Sequence, residues 1–95
     1  MASATYTVQL KPAAERDLKK IKDRTVLRRI VGAIDGLATN PRPPKVKALQ
    51  GDSSILRIRV GDYRILYTIE DAVLLVLVVR IGHRREVYRG GEKTR

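Results

Sequence analysis

The chain has no cysteine, no tryptophan and no phenylalanine, and a single histidine among its 95 residues. Without cysteine there is no disulfide framework, no thiolate metal site and no cysteine nucleophile. One histidine excludes most zinc sites, which draw on several His or Cys ligands. Asp52, Asp62, Glu70, Asp71 and Glu86 are scattered without a compact ligand pattern, so neither a metal nor any other cofactor is expected. Gly61, Gly82 and Gly90-Gly91 read as isolated turn signals, not as a loop that cradles phosphate. Four tyrosines are too few for the usual stacking platform for single-stranded nucleic acid. The longest apolar run, Ala72 to Val79, falls far short of the ~20 residues that a membrane helix needs. Met1 to Leu10 lacks the basic start and apolar stretch of a secretory signal. The expectation is a cytoplasmic protein with no membrane-spanning segment.

What the chain does have is positive charge. Twenty Lys and Arg face ten Asp and Glu, a net charge of +10. Such an excess attracts polyanions: nucleic acid first, an anionic membrane surface second, an acidic protein third. The length fits one domain, residues 1–95, that buries roughly 60–65% of its unfolded surface. An apolar fraction of 43% suffices for that core.

Tyr6, Val8 and Leu10 alternate with polar residues, the period of a half-buried strand. Pro12 suits the first position of a helix that runs to Lys22, with Ala14, Leu18 and Ile21 on one side. Asp23 is placed to cap a second helix, whose apolar stripe is Leu27, Ile30, Val31, Ile34 and Leu37. Asn40-Pro41-Arg42-Pro43-Pro44 ends that helix, and Lys45 to Gly51 continues as loop. Leu56, Ile58 and Val60 alternate with Arg57 and Arg59, and Ile65, Tyr67 and Ile69 alternate after a two-residue Gly61-Asp62 turn. Glu70-Asp71 marks another turn. Val73 to Ile81 reads as a strand covered on both faces and broken by Gly82, with a short basic segment after it. The order predicts an α+β fold: an N-terminal strand, an antiparallel helical pair, then three to four further strands in a mostly antiparallel twisted sheet.

The Gly61-Asp62 turn sets Arg59 opposite Arg64, with Arg57 two residues further along the same face. Like charges directly opposite one another are unfavourable, and three converging guanidinium groups suit a phosphate. The same pattern also fits a solvated face whose charges serve solubility. His83, Arg84, Arg85, Tyr88 and Arg89 form a second basic cluster. Neighbouring cations favour the phenolate of Tyr88, which makes it a candidate general base; the plainer reading packs its ring on the sheet edge. Lys19, Lys20, Lys22, Arg24, Arg28 and Arg29 read as a solvated helix face that also steers the domain toward polyanions.

Four segments together resemble the RelE/ParE superfamily of type II toxins over nearly the whole chain. They are Pro12-Ala13-Ala14-Glu15-Arg16-Asp17-Leu18, Lys47-Ala48-Leu49-Gln50-Gly51, the stretch Leu56 to Tyr67 with its R-x-R-x-G-D-Y-R-x-x-Y pattern, and His83-Arg84-Arg85-Glu86-Val87-Tyr88. The resemblance implies an endoribonuclease, an mRNA interferase of the RelE-like branch. It would enter the ribosomal A site and cut the message without a metal, by attack of the RNA's own 2′-hydroxyl. By the same resemblance Arg57, Arg59, Arg64, Arg84 and Tyr88 are the catalytic set, and Lys45, Lys47, His83 and Arg85 bind RNA around it. The best-known pattern has lysine where this chain has Arg57 and Arg59. Arginine keeps the charge but does not readily give up a proton, which argues against proton transfer at those positions. The implied partners are the ribosome with its mRNA and an acidic, partly disordered antitoxin, in a complex that also binds operator DNA. Two alternatives stand beside this one: a ParE-like inhibitor of DNA gyrase without nuclease activity, and a non-catalytic basic module that binds nucleic acid.

Overall fold

The period-two alternation near the start of the chain forms strand β1 (Thr7–Leu10), with Val8 and Leu10 turned inward and Thr7 and Gln9 outward. A computed structural model describes residues 5–83. Helix α1 (Pro12–Lys19) begins at the proline although Lys11 offers no side-chain cap, because the ring already fixes a helical φ. It stops three residues before the Lys22 boundary expected from the spacing. The amides of Lys20 and Ile21 donate to the carbonyls of Asp17 and Leu18, both at 3.2 Å, so the last turn tightens and Ile21 stays buried outside the helix. Asp23 then caps helix α2 (Arg24–Gly36), accepting from the amides of Thr25 at 2.9 Å and Val26 at 3.2 Å. Of the predicted α2 stripe, Ile30, Ile34 and Leu37 are buried, whereas Val31 is exposed. The helix rests on the sheet along a narrower line than five apolar positions suggest.

The remaining strands are β2 (Lys47–Leu49), β3 (Asp52–Val60), β4 (Tyr63–Glu70) and β5 (Leu75–His83). They join β1 in a five-stranded sheet of order β1-β5-β4-β3-β2, parallel between β1 and β5 and antiparallel elsewhere. Among the described residues the fold is α+β, with two helices and a mostly antiparallel sheet. Two expectations need correction. The segment Lys45 to Gly51 is not all loop, because Lys47 pairs with Arg57 and Ala48 with Leu56 to make β2 an edge strand. The last strand starts later than Val73 and ends later than Ile81. Asp71–Val73 forms a 3₁₀ turn closed by Leu74 at φ 51°, and Gly82 and His83 continue the strand. Burial along β5 alternates, with Val76, Val78 and Ile81 buried and Leu75, Leu77 and Val79 half-buried, because among the described residues the helices cover one face of the sheet.

That covered face holds the core. Ala14, Ile21, Ile30, Ile34 and Leu37 from the helical layer pack with Ile58, Ile65, Tyr67, Val76, Val78 and Ile81 from the sheet. The Tyr67 hydroxyl, fully buried, donates to the Pro41 carbonyl at 2.7 Å and so ties the proline-rich connection to the centre of the sheet. At the end of the sheet away from the Gly61-Asp62 turn, Asp71 accepts from the Tyr6 hydroxyl at 2.6 Å and from both terminal nitrogens of Arg42 at 3.3 and 2.9 Å. These exposed contacts close the start of β1, the loop after α2 and the 3₁₀ turn onto one another.

Candidate active site

Strand pairing brings three of the candidate arginines together. Gly61 and Asp62 form the two-residue turn between β3 and β4, and Gly61 takes φ +60° as the first central residue. Val60 therefore pairs with Tyr63, Arg59 with Arg64 and Arg57 with Leu66. Directly paired antiparallel residues point to the same face, so Arg57, Arg59 and Arg64 share one. It is the face opposite the helices, since Ile58 and Ile65 between them enter the core. Lys47 pairs with Arg57 across β2 and β3 and joins the same row. Lys45 is exposed in the turn just before β2.

The environments of these arginines differ. Arg59 is exposed and Arg57 is half-buried, whereas Arg64 is only 9% exposed, with its Nε sealed from solvent. Leu66, its neighbour on that face two residues along β4, is also buried. On the β5 side Arg64 pairs with Gly82, which has no side chain to compete for the space. A buried guanidinium is expensive to keep away from water and interacts strongly with any anion that reaches it. The chemistry on offer is fixation of a phosphate by preformed donors, with charge to stabilise further negative charge that develops there.

His83, at the end of β5, pairs with Tyr63, and the two rings meet edge to face with centroids 6.0 Å apart. His83 thus lies on the helix side of the sheet, behind the arginine face. Arg84, Arg85 and Tyr88 lie outside the described residues. Among the described residues no group of three or more His, Cys, Asp or Glu side chains could hold a metal ion, and no helix is long and apolar enough to cross a membrane. A cleft of about 190 Å³ between α2 and the hairpin turn, lined by Val26, Arg29, Val60 and Tyr63, opens on the helix side and contains none of the candidate arginines.

Sequence reasoning did not single out Arg80, which pairs with Leu66 and completes the row Lys47, Arg57, Leu66, Arg80 across four strands. Its side chain is held at the sheet edge by Asp17 of α1. The Arg80 Nε donates to Asp17 Oδ2 at 2.7 Å and its Nη2 donates to Oδ1 at 3.2 Å. This carboxylate keeps the Arg80 guanidinium protonated even more firmly than usual. One signal could have found it: Arg80 is the charge that interrupts the apolar run of the last strand.

Residues 8–88 match the model of the family described as the ParE toxin of type II toxin-antitoxin system, parDE. Toxin RelG of Mycobacterium tuberculosis is 34% identical over an alignment of 87 residues that covers 88% of this chain and 97% of that protein. A chain of the toxin-antitoxin complex RelBE2 from M. tuberculosis is similar with a TM-score of 0.74 and 32% identity, over 86% of this chain and 94% of that one. A chain of the archaeal RelE-RelB complex from Pyrococcus horikoshii OT3 gives a TM-score of 0.73 at 25% identity, over 84% and 96% of the two chains.

Proposed function

As this chain belongs to the ParE toxin family of type II toxin-antitoxin systems, within the RelE/ParE superfamily, we propose that it is the toxin that cuts messenger RNA on the ribosome. The observation that carries this reading is the clustering of Arg57, Arg59 and Arg64 on the helix-free face, with Arg64 buried. A domain that only blocks another protein has no need to hold like charges opposite one another across a hairpin. A scissile phosphate does need them. Attack by the 2′-oxygen puts additional negative charge on a pentacoordinate phosphorus, and donors already in place gain interaction as the barrier is climbed.

The roles are those the family resemblance implies, and the chemistry is consistent with them. Arg57 and Arg59 hold the phosphate, and Arg64 stabilises the phosphorane. Tyr88, as phenolate, takes the 2′-hydroxyl proton. The bond from phosphorus to the 5′-oxygen breaks, leaving a 2′,3′-cyclic phosphate on one fragment. Arg84, covalently next to His83 at the end of β5, supports the departing 5′-oxygen, which solvent then protonates. Lys45, Lys47 and Arg85 engage the flanking RNA, whereas His83, turned to the helix side with Tyr63, is not part of that surface. Positioning for in-line attack supplies a further share of the rate. A face lined by cations repels a metal ion, so the cleavage proceeds without one.

The relatives' structures in complex with RelB support an antitoxin as partner. For a domain of charge +10 we assign an acidic, partly disordered segment that orders as it binds and covers the cationic face. The chain acts in the cytoplasm, where ribosomes are, and with its antitoxin binds operator DNA.

The test is cleavage of message on programmed ribosomes by the parent, Arg64→Ala and Tyr88→Phe. The parent is expected to leave cyclic-phosphate ends. Arg64→Ala should lose roughly 10²- to 10³-fold in rate, as for loss of a single donor to a developing oxyanion. Intact ribosomal message together with blocked gyrase supercoiling would instead establish the ParE-like reading that the family model's description suggests.

A further inference from the structure

The end of β5 faces a problem that strand pairing alone does not solve. On one side β4 pairs with it as far as Tyr63 and His83. On the other side β1 stops at Leu10, paired with Val78, and the chain turns into α1. From Val79 onward the second edge of β5 has no strand partner among the described residues. The pairing with β4 is also irregular here: Leu66 pairs with Arg80 but Tyr67 with Val78, so Val79 is an extra residue on β5. A bulge bends the strand that carries it and re-aims the side chains beyond it. The residues beyond it, Arg80, Gly82 and His83, are the ones alongside Leu66, Arg64 and Tyr63.

Asp17 takes the place of the missing strand. Its side chain is 8% exposed, and its Oδ2 accepts both the Ile81 amide at 2.9 Å and the Arg80 Nε at 2.7 Å. One carboxylate thereby satisfies a strand-edge amide and clamps the adjacent side chain. Arg80 keeps nearly half of its side chain in solvent, beside a cleft of about 250 Å³ that Lys20 and Tyr63 also line. A carboxylate buried only to pin an edge amide would not need a cation, whereas a clamp that must fix direction gains from two anchors with different angles.

Resting on the function proposed above, we propose that Asp17 and Arg80 are positioning residues that fix the orientation of the last described residues of β5, Ile81 to His83. They thereby set the register of the terminal residues of β5 against Arg64. Neither touches the RNA. Their contribution is to the rate at which bound RNA is cut, not to how tightly it is held.

Single-turnover cleavage on programmed ribosomes tests this with Asp17→Ala, Asp17→Asn and Arg80→Ala, alongside the binding affinity of each for the same ribosomes. Asp17→Ala is expected to lower the rate at saturating protein roughly 10- to 100-fold, the scale of an ångström-sized misplacement, with affinity unchanged. Asp17→Asn retains an oxygen for the Ile81 amide and should restore most of the rate. Arg80→Ala leaves the core untouched and should cut the rate at unchanged affinity even where Asp17→Ala proves too unstable to purify. Independently of activity, the Ile81 amide and His83 ring resonances should shift in Asp17→Ala and stay near their parent positions in Asp17→Asn. Parent-like rates in Arg80→Ala, or rate and affinity falling together, would overturn the assignment. A parent that leaves message intact would overturn the proposed function instead, and the resonances would still decide whether the pair orients the strand end.

Discussion

Arg59 and Arg64 stand directly opposite one another across the β3–β4 hairpin, one exposed and the other buried. Opposed like charges on paired strands cost stability. Replacing the exposed member with an acid should therefore help the fold and harm the function. Arg59→Glu is expected to raise resistance to urea by about 0.2–1 kcal/mol, the range for cross-strand charge pairs. The same variant should lose cleavage of ribosome-bound message and the growth arrest that accompanies it. An Arg59→Glu protein that is both more stable and fully toxic would show that the opposed charges serve no phosphate.

The geometry of that pair depends on the turn that closes it. Gly61 holds φ +60°, and a Cβ there would meet nothing closer than the Arg29 Nη1 at 4.0 Å, so backbone strain rather than crowding sets the cost of a side chain. Gly61→Ala should lose about 1–2 kcal/mol in urea denaturation, the cost of a left-handed conformation for an L-residue. Cleavage should fall in the same variant, because a turn that relaxes shifts Arg59 against Arg64.

Acid should expose the role of the Tyr6–Asp71–Arg42 contacts. Arg42, and after it the Tyr6 hydroxyl, hold the Asp71 carboxyl below its ordinary 3.8. A carboxyl depressed in the folded state contributes stability that is complete above its unfolded pKa and is lost as the pH falls through the folded value. Asp71→Asn should therefore be less stable than the parent at neutral pH, and the difference should close as the pH drops below about 4, the ordinary range of aspartate. Urea titrations at several pH values measure both.

Alkali tests Tyr67 in the opposite direction. Burial pushes its phenol up to about 12, with a smaller opposing pull from the Arg42 charge. A phenol raised in the folded state contributes stability below the unfolded pKa of ~10, and that contribution disappears as the pH climbs through the folded value. Tyr67→Phe gives up the hydrogen bond to the Pro41 carbonyl and should be less stable at neutral pH by about 1 kcal/mol. The gap should narrow between ~10, the ordinary value for tyrosine, and about 12. Phenolate absorbance, followed with pH, should lose its latest-titrating component in Tyr67→Phe, whereas Tyr6, whose phenol is raised by its hydrogen bond to Asp71, should behave alike in both proteins.

The hairpin that carries the arginines was legible in the sequence because a glycine-first turn between two alternating runs leaves one register that buries Ile58 and Ile65. The α2 cap was legible for a similar reason, since Asp23 acts within three residues of itself. Features that depend on distant partners were not. Lys47-Ala48-Leu49 has too few residues to show a period and becomes a strand only because β3 lies beside it. The parallel pairing of β1 with β5 leaves no mark in either segment. Asp17 and Ile81 are 64 positions apart, and although Asp17 falls between Ala14 and Ile21 on the inward side of the first helical segment, nothing local names the strand amide it will accept. Tyr88 and Arg84 stood out as part of a basic cluster after the last strand, and their specific catalytic roles came from the family resemblance, that of Tyr88 being tested by the Tyr88→Phe variant above.

The sheet order also has a consequence for synthesis. β1, made first, pairs only with β5, the last described strand to emerge. Until Leu75–His83 has been translated, the opening strand has no neighbour and the sheet lacks the strand that joins it to the hairpin. An unfinished chain, stalled or truncated before that point, therefore cannot complete this sheet. Assembly of this sheet waits for the far end of the polypeptide.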